Sequence, residues 1–201
     1  MEKFIHSNIK KWIFSPEVSD KERFVMKNAL YNSDLKKNRS HYFNGRWENI
    51  YISHDLIPNL EKILFHAGQI GKNIYGKTVI VPRKDLGYHL NEYWFNISKP
   101  GESTGWHDHK KGAKLSGVYY IDVPNNSGNI LFRTGNVNKK YNWEIKSQTG
   151  EMILFPANQK HAVDVNKSSR DRISLGFNLY TLPIKEIDQD DDGYAFSKYY
   201  G

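Results

Sequence analysis

The first helical pattern in the chain begins at a capping box. In Ser19-Asp20-Lys21-Glu22, the Ser19 side chain can accept a hydrogen bond from the Glu22 amide while the Glu22 carboxylate reaches back to the Ser19 amide. This arrangement predicts a helix starting after Ser19. Its apolar positions would be Phe24, Val25, Ala29 and Leu30.

A second helical pattern has the more regular spacing. Apolar residues recur with a period near 3.6 residues between positions 56 and 67, which predicts an amphipathic helix packed against a core. Ser53 or Asp55 is the expected cap, and Pro58 is tolerated in the first turn because its missing amide hydrogen would be unpaired there anyway. Gly68 or Gly71 is the expected end of this helix.

From about Lys77 the helical period gives way to short β-rich runs separated by Gly, Pro, Asn and Asp. The candidate strands are residues 78–81, 88–97, 115–123, 129–132, 152–155, 161–165 and 173–179. Since no helical pattern separates them, they favour an antiparallel sandwich or jelly roll over a parallel sheet. We expect one domain over residues 1–201: a mostly helical support (1–76), a jelly-roll core (77–182) and a tail (183–201).

Composition narrows the function classes. With 201 residues, 14% aromatic residues and no cysteine, the chain can bury a core but can form neither disulfides nor thiolate zinc sites. No apolar run approaches the ~20 residues of a membrane span, and the first residues lack a signal-peptide pattern, so we expect a cytoplasmic protein with no membrane partner. The net charge of +7 is dispersed, so nucleic acid is a possible but unsupported partner. The oligomeric state stays open, with a homodimer as one option.

The strongest chemical signal is a set of three histidines. Side chains at i and i+2 of a strand leave the same face, so His107 and His109 can present their imidazoles to one point while Asp108 turns away. His161 on a distant predicted strand can supply a third ligand. Imidazoles bind Fe, Zn, Cu and Ni, and a three-ligand face leaves coordination positions open for reactants.

Arg172 and Ser174 add a second signal, because they share one face of the last predicted strand. A guanidinium paired with a hydroxyl in an apolar barrel can hold a carboxylate with two hydrogen bonds. A structural salt bridge from Arg172 to Asp164 or Asp171 is the alternative.

These elements, in this order, resemble the iron(II)/2-oxoglutarate oxygenases, and specifically a branch of bacterial and phage proteins related to prolyl hydroxylases. The similarity covers about residues 88–179. The segments that carry it are WFNI at 94–97, KPG at 99–101, WHDH at 106–109, LSGVYY at 115–120, LFP at 154–156 followed by His161, and RIS at 172–174 followed by Phe177 and Asn178.

The resemblance implies a double-stranded β-helix (jelly roll, cupin-like) with iron held by His107, His109 and His161. The second ligand in the wider superfamily is a carboxylate, so His109 is a departure that leaves the iron site more positive by one charge. Asp108 is the alternative second ligand, against which the strand alternation counts. Arg172 would bind the far carboxylate of 2-oxoglutarate, helped by Ser174. Tyr120 would donate to the same carboxylate, or Tyr119 if the register is shifted by one residue. Asn96 would contact the cosubstrate or be a structural amide.

The implied activity is hydroxylation of an unidentified small-molecule or peptidyl substrate. It would use Fe(II), 2-oxoglutarate and O2, release succinate and CO2, and be open to stimulation by ascorbate. Two alternatives remain at this stage: a three-histidine cupin-type dioxygenase that needs no cosubstrate, and a non-catalytic metal-bearing binding module.

Overall fold

The computed structural model describes residues 3–4, 12–32, 34–43, 46–109, 112–133 and 143–184. It contains two α-helices, α1 (Asp20–Tyr31) and α2 (Leu60–Tyr75), and short 3-10 turns at His54–Leu56 and Lys84–Leu86. The strands are β1 (Lys3–Phe4), β2 (Trp12–Phe14), β3 (Asn38–Phe43), β4 (Arg46–Tyr51), β5 (Val79–Ile80), β6 (Tyr93–Ser98), β7 (Thr104–His107), β8 (Leu115–Asp122), β9 (Ile130–Phe132), β10 (Trp143–Ile145), β11 (Met152–Pro156), β12 (His161–Val163) and β13 (Arg172–Thr181).

The strands form two sheets. The larger sheet has the order β1-β2-β11-β8-β13-β6-β4-β3, with β5 added on β13, and the smaller sheet has the order β10-β9-β12-β7. Every strand pairing in the described residues is antiparallel. This confirms the predicted mainly β architecture with flanking helices.

Two apolar clusters hold these layers together. One packs the helices against the outer face of the larger sheet, with Leu60, Ile63, Tyr93, Leu175 and Phe177 among its fully buried members. The other fills part of the space between the sheets, since its members come from β8 and β11 of the larger sheet and from β9 and β10 of the smaller. The helices therefore support one face of the large sheet and leave the other face to the site. In the described parts of the chain, no helix has the length and apolar character needed to cross a membrane.

Helix α1 begins where its capping box predicts. The Glu22 amide donates to Ser19 Oγ at 3.2 Å, and the Ser19 amide donates to Glu22 Oε2 at 2.6 Å. The predicted apolar face is partly wrong, however, because Phe24 is 62% exposed whereas Met26 is buried along with Leu30. The cap fixes where a helix starts, but the position of the neighbouring sheet decides which face is covered.

Helix α2 differs from its prediction at both ends. It begins at Leu60, after Pro58 and after the 3-10 turn that Ser53 precedes, and it ends at Tyr75, where Gly76 adopts a left-handed φ of 63°. Gly68 and Gly71 lie inside the helix because β5 approaches closely there. A Cβ at position 68 would lie 2.8 Å from the Val79 carbonyl oxygen, and one at 71 would lie 2.6 Å from Val79 Cγ1. These glycines permit packing and do not end the helix.

All seven predicted strands are present with shifted ends: β11 and β13 are longer than predicted and the other five are shorter. Strands β1 to β4, β7 and β10 were not among the candidates. The first 76 residues thus supply part of the large sheet as well as the helical support. Strand β3 has the sequence Asn-Arg-Ser-His-Tyr-Phe and lies at the edge of the larger sheet. An edge strand exposed to solvent does not require alternating apolar residues, so it lacks the pattern by which strands were predicted. Residues from 185 onward, which include most of the predicted tail, lie outside the described residues.

Candidate active site

The three predicted histidines meet at one end of the smaller sheet. His107 is the last residue of β7 and pairs directly with His161, the first residue of β12, and their ring centroids are 4.2 Å apart. The His109 ring centroid lies 5.2 Å from that of His107 and 5.0 Å from that of His161. One possible ligand nitrogen from each residue lies within 4.8 Å of the others. A single metal ion can therefore be reached by all three.

His109 reaches this point by a different route from the one expected. Strand β7 ends at His107, so strand alternation alone does not place His109. Its amide donates to the carbonyl oxygen of Ala157 at 2.9 Å, which ties the segment after β7 to the turn between β11 and β12. Asp108 between the two histidines is exposed and is not part of the group.

Hydrogen bonds fix the tautomers of two of these imidazoles. Nδ1 of His107 lies 2.8 Å from the Gly105 carbonyl oxygen, and Nδ1 of His161 lies 2.9 Å from the Gln159 carbonyl oxygen. A carbonyl oxygen can only accept, so Nδ1 carries the proton in both rings. In the neutral ring Nε2 is then the unprotonated nitrogen, and neutral imidazole is the form that binds a metal.

Aromatic side chains surround the histidines. The Trp94 ring is tilted against His109 with a centroid distance of 5.4 Å, and Phe155 meets His161 edge-on at 4.7 Å. Gly176 on the neighbouring strand makes room for Trp94, since a Cβ there would lie 2.7 Å from the indole. Trp106 does not line the cavity, and the Arg133 guanidinium lies 4.4 Å from the centroid of its ring.

One cavity between the sheets brings all the predicted site residues together. Its wall contains the three histidines and also Asn96, Tyr120, Arg172 and Ser174. Tyr120 is paired directly with Ser174 across β8 and β13, and Ser174 with Asn96 across β13 and β6. Tyr119 lies in the outer apolar cluster, so the open choice between the two tyrosines falls to Tyr120 as the residue facing the cavity.

Arg172 is the most buried charge in this wall, at 2% exposure. Its Nη1 donates to the carbonyl oxygens of Ser127 at 2.7 Å, Gly128 at 3.4 Å and Asp164 at 3.5 Å. Burial lowers the pKa of Arg172 to about 10. The side chain therefore remains a cation at neutral pH in a place where a cation is poorly solvated.

The alternative interpretation of Arg172 was a structural salt bridge. The Asp164 carboxylate accepts instead from the Val165 amide at 2.8 Å, and the Asp171 carboxylate accepts from the Tyr31 hydroxyl at 2.6 Å. Among the described residues, Arg172 forms no ion pair. Its fixed partners are carbonyl oxygens, so no carboxylate is paired with its charge among the described residues.

Sequence reasoning missed three residues that shape this cavity: Asn49 on β4, Trp94 on β6 and Gly128 near Arg172. A Cβ at position 128 would lie 2.9 Å from Arg172 Nη1, and the φ of Gly128 is +91°. The turn composition of Asn125 to Gly128 was the available signal for Gly128. Asn49 gave no signal, because its strand was not predicted.

Part of this chain is similar to known proteins in sequence, and its fold is similar to theirs in structure. Residues 92–178 match the model of the family described as "Putative 2OG-Fe(II) oxygenase". The core of this chain is similar to the 2OG-Fe(II) oxygenases. A search of curated protein sequences found no significant match.

Solved structures agree with this similarity. The α-ketoglutarate-dependent epimerase SnoN from nogalamycin biosynthesis superimposes with a TM-score of 0.62 at 11% identity, covering 95% of this chain and 88% of SnoN. A Pseudomonas putida prolyl-4-hydroxylase gives 0.53 at 12% identity, covering 90% of each chain. The viral collagen prolyl hydroxylase from Paramecium Bursaria Chlorella virus-1 gives 0.55 at 15% identity, covering 90% of this chain and 100% of the viral one. The predicted double-stranded β-helix is thereby confirmed.

Proposed function

We propose that this protein is an Fe(II)- and 2-oxoglutarate-dependent oxygenase that hydroxylates its substrate. Fe(II) would be held by the Nε2 atoms of His107, His109 and His161, and the far carboxylate of 2-oxoglutarate by Arg172. The observation that carries the proposal is a guanidinium buried in the same cavity as a three-imidazole cluster, with no acidic partner among the described residues.

A buried cation that has no paired anion is unfavourable unless a bound group compensates its charge. A ligand carboxylate would do so with charge-assisted hydrogen bonds, and the guanidinium fork suits two at once. Ser174 and Tyr120 lie in the same wall and offer hydroxyl donors. Burial raises the pKa of Tyr120 to about 12, so its hydroxyl keeps the proton that it would donate.

The metal end of the cavity has a matching electrostatic character. Three neutral imidazoles leave the full charge of a divalent ion in place, one unit more positive than a set with a carboxylate ligand. This charge and Arg172 together favour a dianionic cosubstrate that spans the cavity. The three donors also leave coordination positions for a chelating acid, so the residues present fit Fe(II).

When bound, Fe(II) together with 2-oxoglutarate and O2 supplies oxidising chemistry that yields succinate and CO2 and oxidises a C–H bond. The chain's own contribution is geometric. Carbonyl oxygens orient His107 and His161, while Trp94 and Phe155 limit water around the imidazoles. Arg172 would set the direction in which the cosubstrate lies.

The test uses metal-stripped protein loaded with Fe(II) without oxygen. Adding 2-oxoglutarate should produce the visible charge-transfer absorption of an Fe(II)–keto acid chelate, and later admission of air should produce succinate. His161→Ala should lose both signals because one of three ligands is gone. His89→Ala, a change at an exposed histidine outside the cluster, should match the wild type.

Each contrary result would favour a different function for this protein. Fe(II) binding without 2-oxoglutarate binding would refute the proposal and favour a dioxygenase that needs no cosubstrate. Failure to bind Fe(II) at all would favour a binding module. The hydroxylase outcome itself is checked by identifying the oxidised product, since SnoN, a structural neighbour, is described as an epimerase.

A further inference from the structure

The guanidinium of Arg172 is held on one side by a tight turn between β8 and β9. We call residues 124–129 the anchoring turn. Nη1 of Arg172 donates to the carbonyl oxygens of Ser127 and Gly128, which belong to this turn, and to that of Asp164. A carbonyl oxygen can only accept and an arginine nitrogen can only donate, so the direction of all three hydrogen bonds is fixed.

The other two guanidinium nitrogens of Arg172 face the cavity. Nε and Nη2 donate to no partner within the described residues. Neither is among the fully buried nitrogen and oxygen atoms that lack a partner, so both keep some accessible surface. Arg172 lines the cavity that contains the three histidines, but not the larger groove on the far side of the anchoring turn. The edge formed by Nε and Nη2 is therefore the one that a ligand can reach.

Backbone hydrogen bonds hold the anchoring turn in place. The Lys167 amide donates to the Asn126 carbonyl oxygen at 2.9 Å, and the Asp164 amide donates to the Asn129 carbonyl oxygen at 3.0 Å. These bonds tie both halves of the turn to the segment that follows β12. Because all of their atoms belong to the backbone, no change of side-chain rotamer can release the turn.

Gly128 makes the close approach of the turn to Arg172 possible. Its φ of +91° is a backbone conformation that residues with a side chain rarely adopt. A Cβ at this position would overlap the Asp164 carbonyl oxygen and would lie 2.9 Å from Arg172 Nη1. A side chain here would therefore force the turn and the guanidinium apart.

The two ends of the cavity are thus fixed relative to each other. Arg172 begins in a central strand, where it pairs with Ser98, and its far end is held by the anchoring turn. At the other end, carbonyl oxygens orient His107 and His161. A ligand that bridges a metal ion and the guanidinium must match this separation, because neither end can move to follow a shorter or longer molecule.

We infer that the anchoring turn, with Gly128 as its positioning residue, makes the cavity select 2-oxo diacids by length and presents Nε and Nη2 of Arg172 to the far carboxylate. The inference rests on the proposed function, since it specifies how the cosubstrate of that proposal is chosen. Oxaloacetate and 2-oxoadipate differ from 2-oxoglutarate by one C–C bond, about 1.5 Å. Each should bind at least about tenfold more weakly, because its far carboxylate cannot align with both nitrogens.

The first measurement uses the full-length wild type loaded with Zn(II), which is diamagnetic. In proton–nitrogen correlation spectra, the Arg172 Nε–H signal is identified by its absence from the ligand-free Arg172→Met protein. Adding 2-oxoglutarate should move this signal downfield by more than any other arginine Nε–H signal, because a carboxylate then accepts from it. An unmoved signal with 2-oxoglutarate bound would overturn the inference.

The second measurement compares the affinities of Mn(II)-loaded protein for the three acids by calorimetry. Gly128→Ala should push the guanidinium toward its open side, into the cavity. The shorter acid then fits better, so the ratio of oxaloacetate to 2-oxoglutarate affinity should rise at least about fivefold. Gly87→Ala is the matched control, because φ at Gly87 is +86° but a Cβ there meets no atom within 4 Å. It adds backbone strain without the contact and should keep the wild-type ratio.

The outcomes separate the inference from the proposed function. If the wild type binds none of the three acids, the proposed function fails and the inference fails with it. If the wild type binds all three equally, or if Gly128→Ala keeps the wild-type ratio, the inference is overturned while the function stands. A general loss of stability would not change the ratio, because a smaller folded fraction weakens all three affinities alike. Should Gly128→Ala not fold, the wild-type Nε–H signal and length preference still decide.

Discussion

Replacing Arg172 with methionine tests whether its buried charge is needed to bind a ligand or to stabilise the fold. Methionine keeps the length and apolar stem of the side chain but removes the guanidinium. If the charge exists for 2-oxoglutarate, the ligand-free protein should tolerate the change. If the charge holds the sheets together, the ligand-free protein should lose stability.

The structure sets the magnitudes. Burial lowers the pKa of Arg172 from 12.5 to about 10, which corresponds to a penalty on the charged form of roughly 3 kcal/mol. Against this stands mainly the 2.7 Å hydrogen bond to the Ser127 carbonyl oxygen, and a bond from a charged donor contributes about 1.5–3 kcal/mol. These terms nearly cancel. We expect the free energy of unfolding of the ligand-free R172M protein to stay within about 1 kcal/mol of the wild type.

Ligand binding should respond very differently. Losing two charge-assisted hydrogen bonds of about 1.5–3 kcal/mol each should weaken 2-oxoglutarate binding at least ~100-fold. The assay is thermal unfolding of Mn(II)-loaded protein with 2-oxoglutarate at about 100 times the wild-type Kd. The wild type should gain about 2.7 kcal/mol, or roughly 5–10 °C in Tm. R172M should gain about 1 °C or less under the same conditions.

Arg170→Met is the matched control. Arg170 lies two residues away, but its side chain is 63% exposed and pairs with Asp122 at 3.0 Å. An exposed pair contributes little, so both the stability and the 2-oxoglutarate response should stay near wild type. The reasoning would be refuted if R172M lost more than about 2 kcal/mol of stability while keeping the full response to 2-oxoglutarate.

Three further predictions address the site, pH and the fold. Gly176→Ala should displace the Trp94 indole, which a Cβ would approach to 2.7 Å, and weaken Co(II) binding about tenfold in a spectroscopic titration. An unchanged Co(II) affinity would show that the position of Trp94 does not affect metal binding. Burial lowers the pKa of His66, so the unfolded chain takes up a proton before the native one and stability falls as pH drops through the ordinary histidine range. His66→Leu should therefore lose less stability between about pH 7.5 and about pH 5.5 in urea unfolding, and an equal loss in both proteins would contradict this. Ser19→Ala should destabilise the protein by about 1 kcal/mol and Ser53→Ala by clearly less, because only Ser19 accepts from a helix amide. Equal losses would show that the cap is not the cause.

The part of the candidate site that could be predicted is the part identified by residue type and short spacing. His107, His109 and His161 are recognisable as a set of metal-donor residues from the sequence alone, and Arg172 follows on a β-rich run. Tyr120 could be named only with Tyr119 as an alternative, because a one-residue shift in register exchanges the two faces of a strand. The pairing of Tyr120 with Ser174 removed that ambiguity.

For the fold as well, features set by local contacts were predictable and features set by distant contacts were not. The capping box at Ser19 is a contact between residues three apart, and it was predicted correctly. The end of α2 was not, because Gly68 and Gly71 reflect the approach of Val79 and not a local turn. Polar edge strands such as β3 carry no periodic signal, so their place in the sheet depends on a partner strand.

Sequence by itself thus determined the kind of chemistry: three imidazoles, one guanidinium and a β-rich scaffold to carry them, all of which follow from side-chain type and short spacing. The tertiary structure alone determined which side chains lie next to one another. It left Arg172 without an acid among the described residues, tied His109 to Ala157 and set Asn49 beside Asn96. The physical reason is that burial and pairing across strands depend on residues far apart in the chain, which no local pattern encodes.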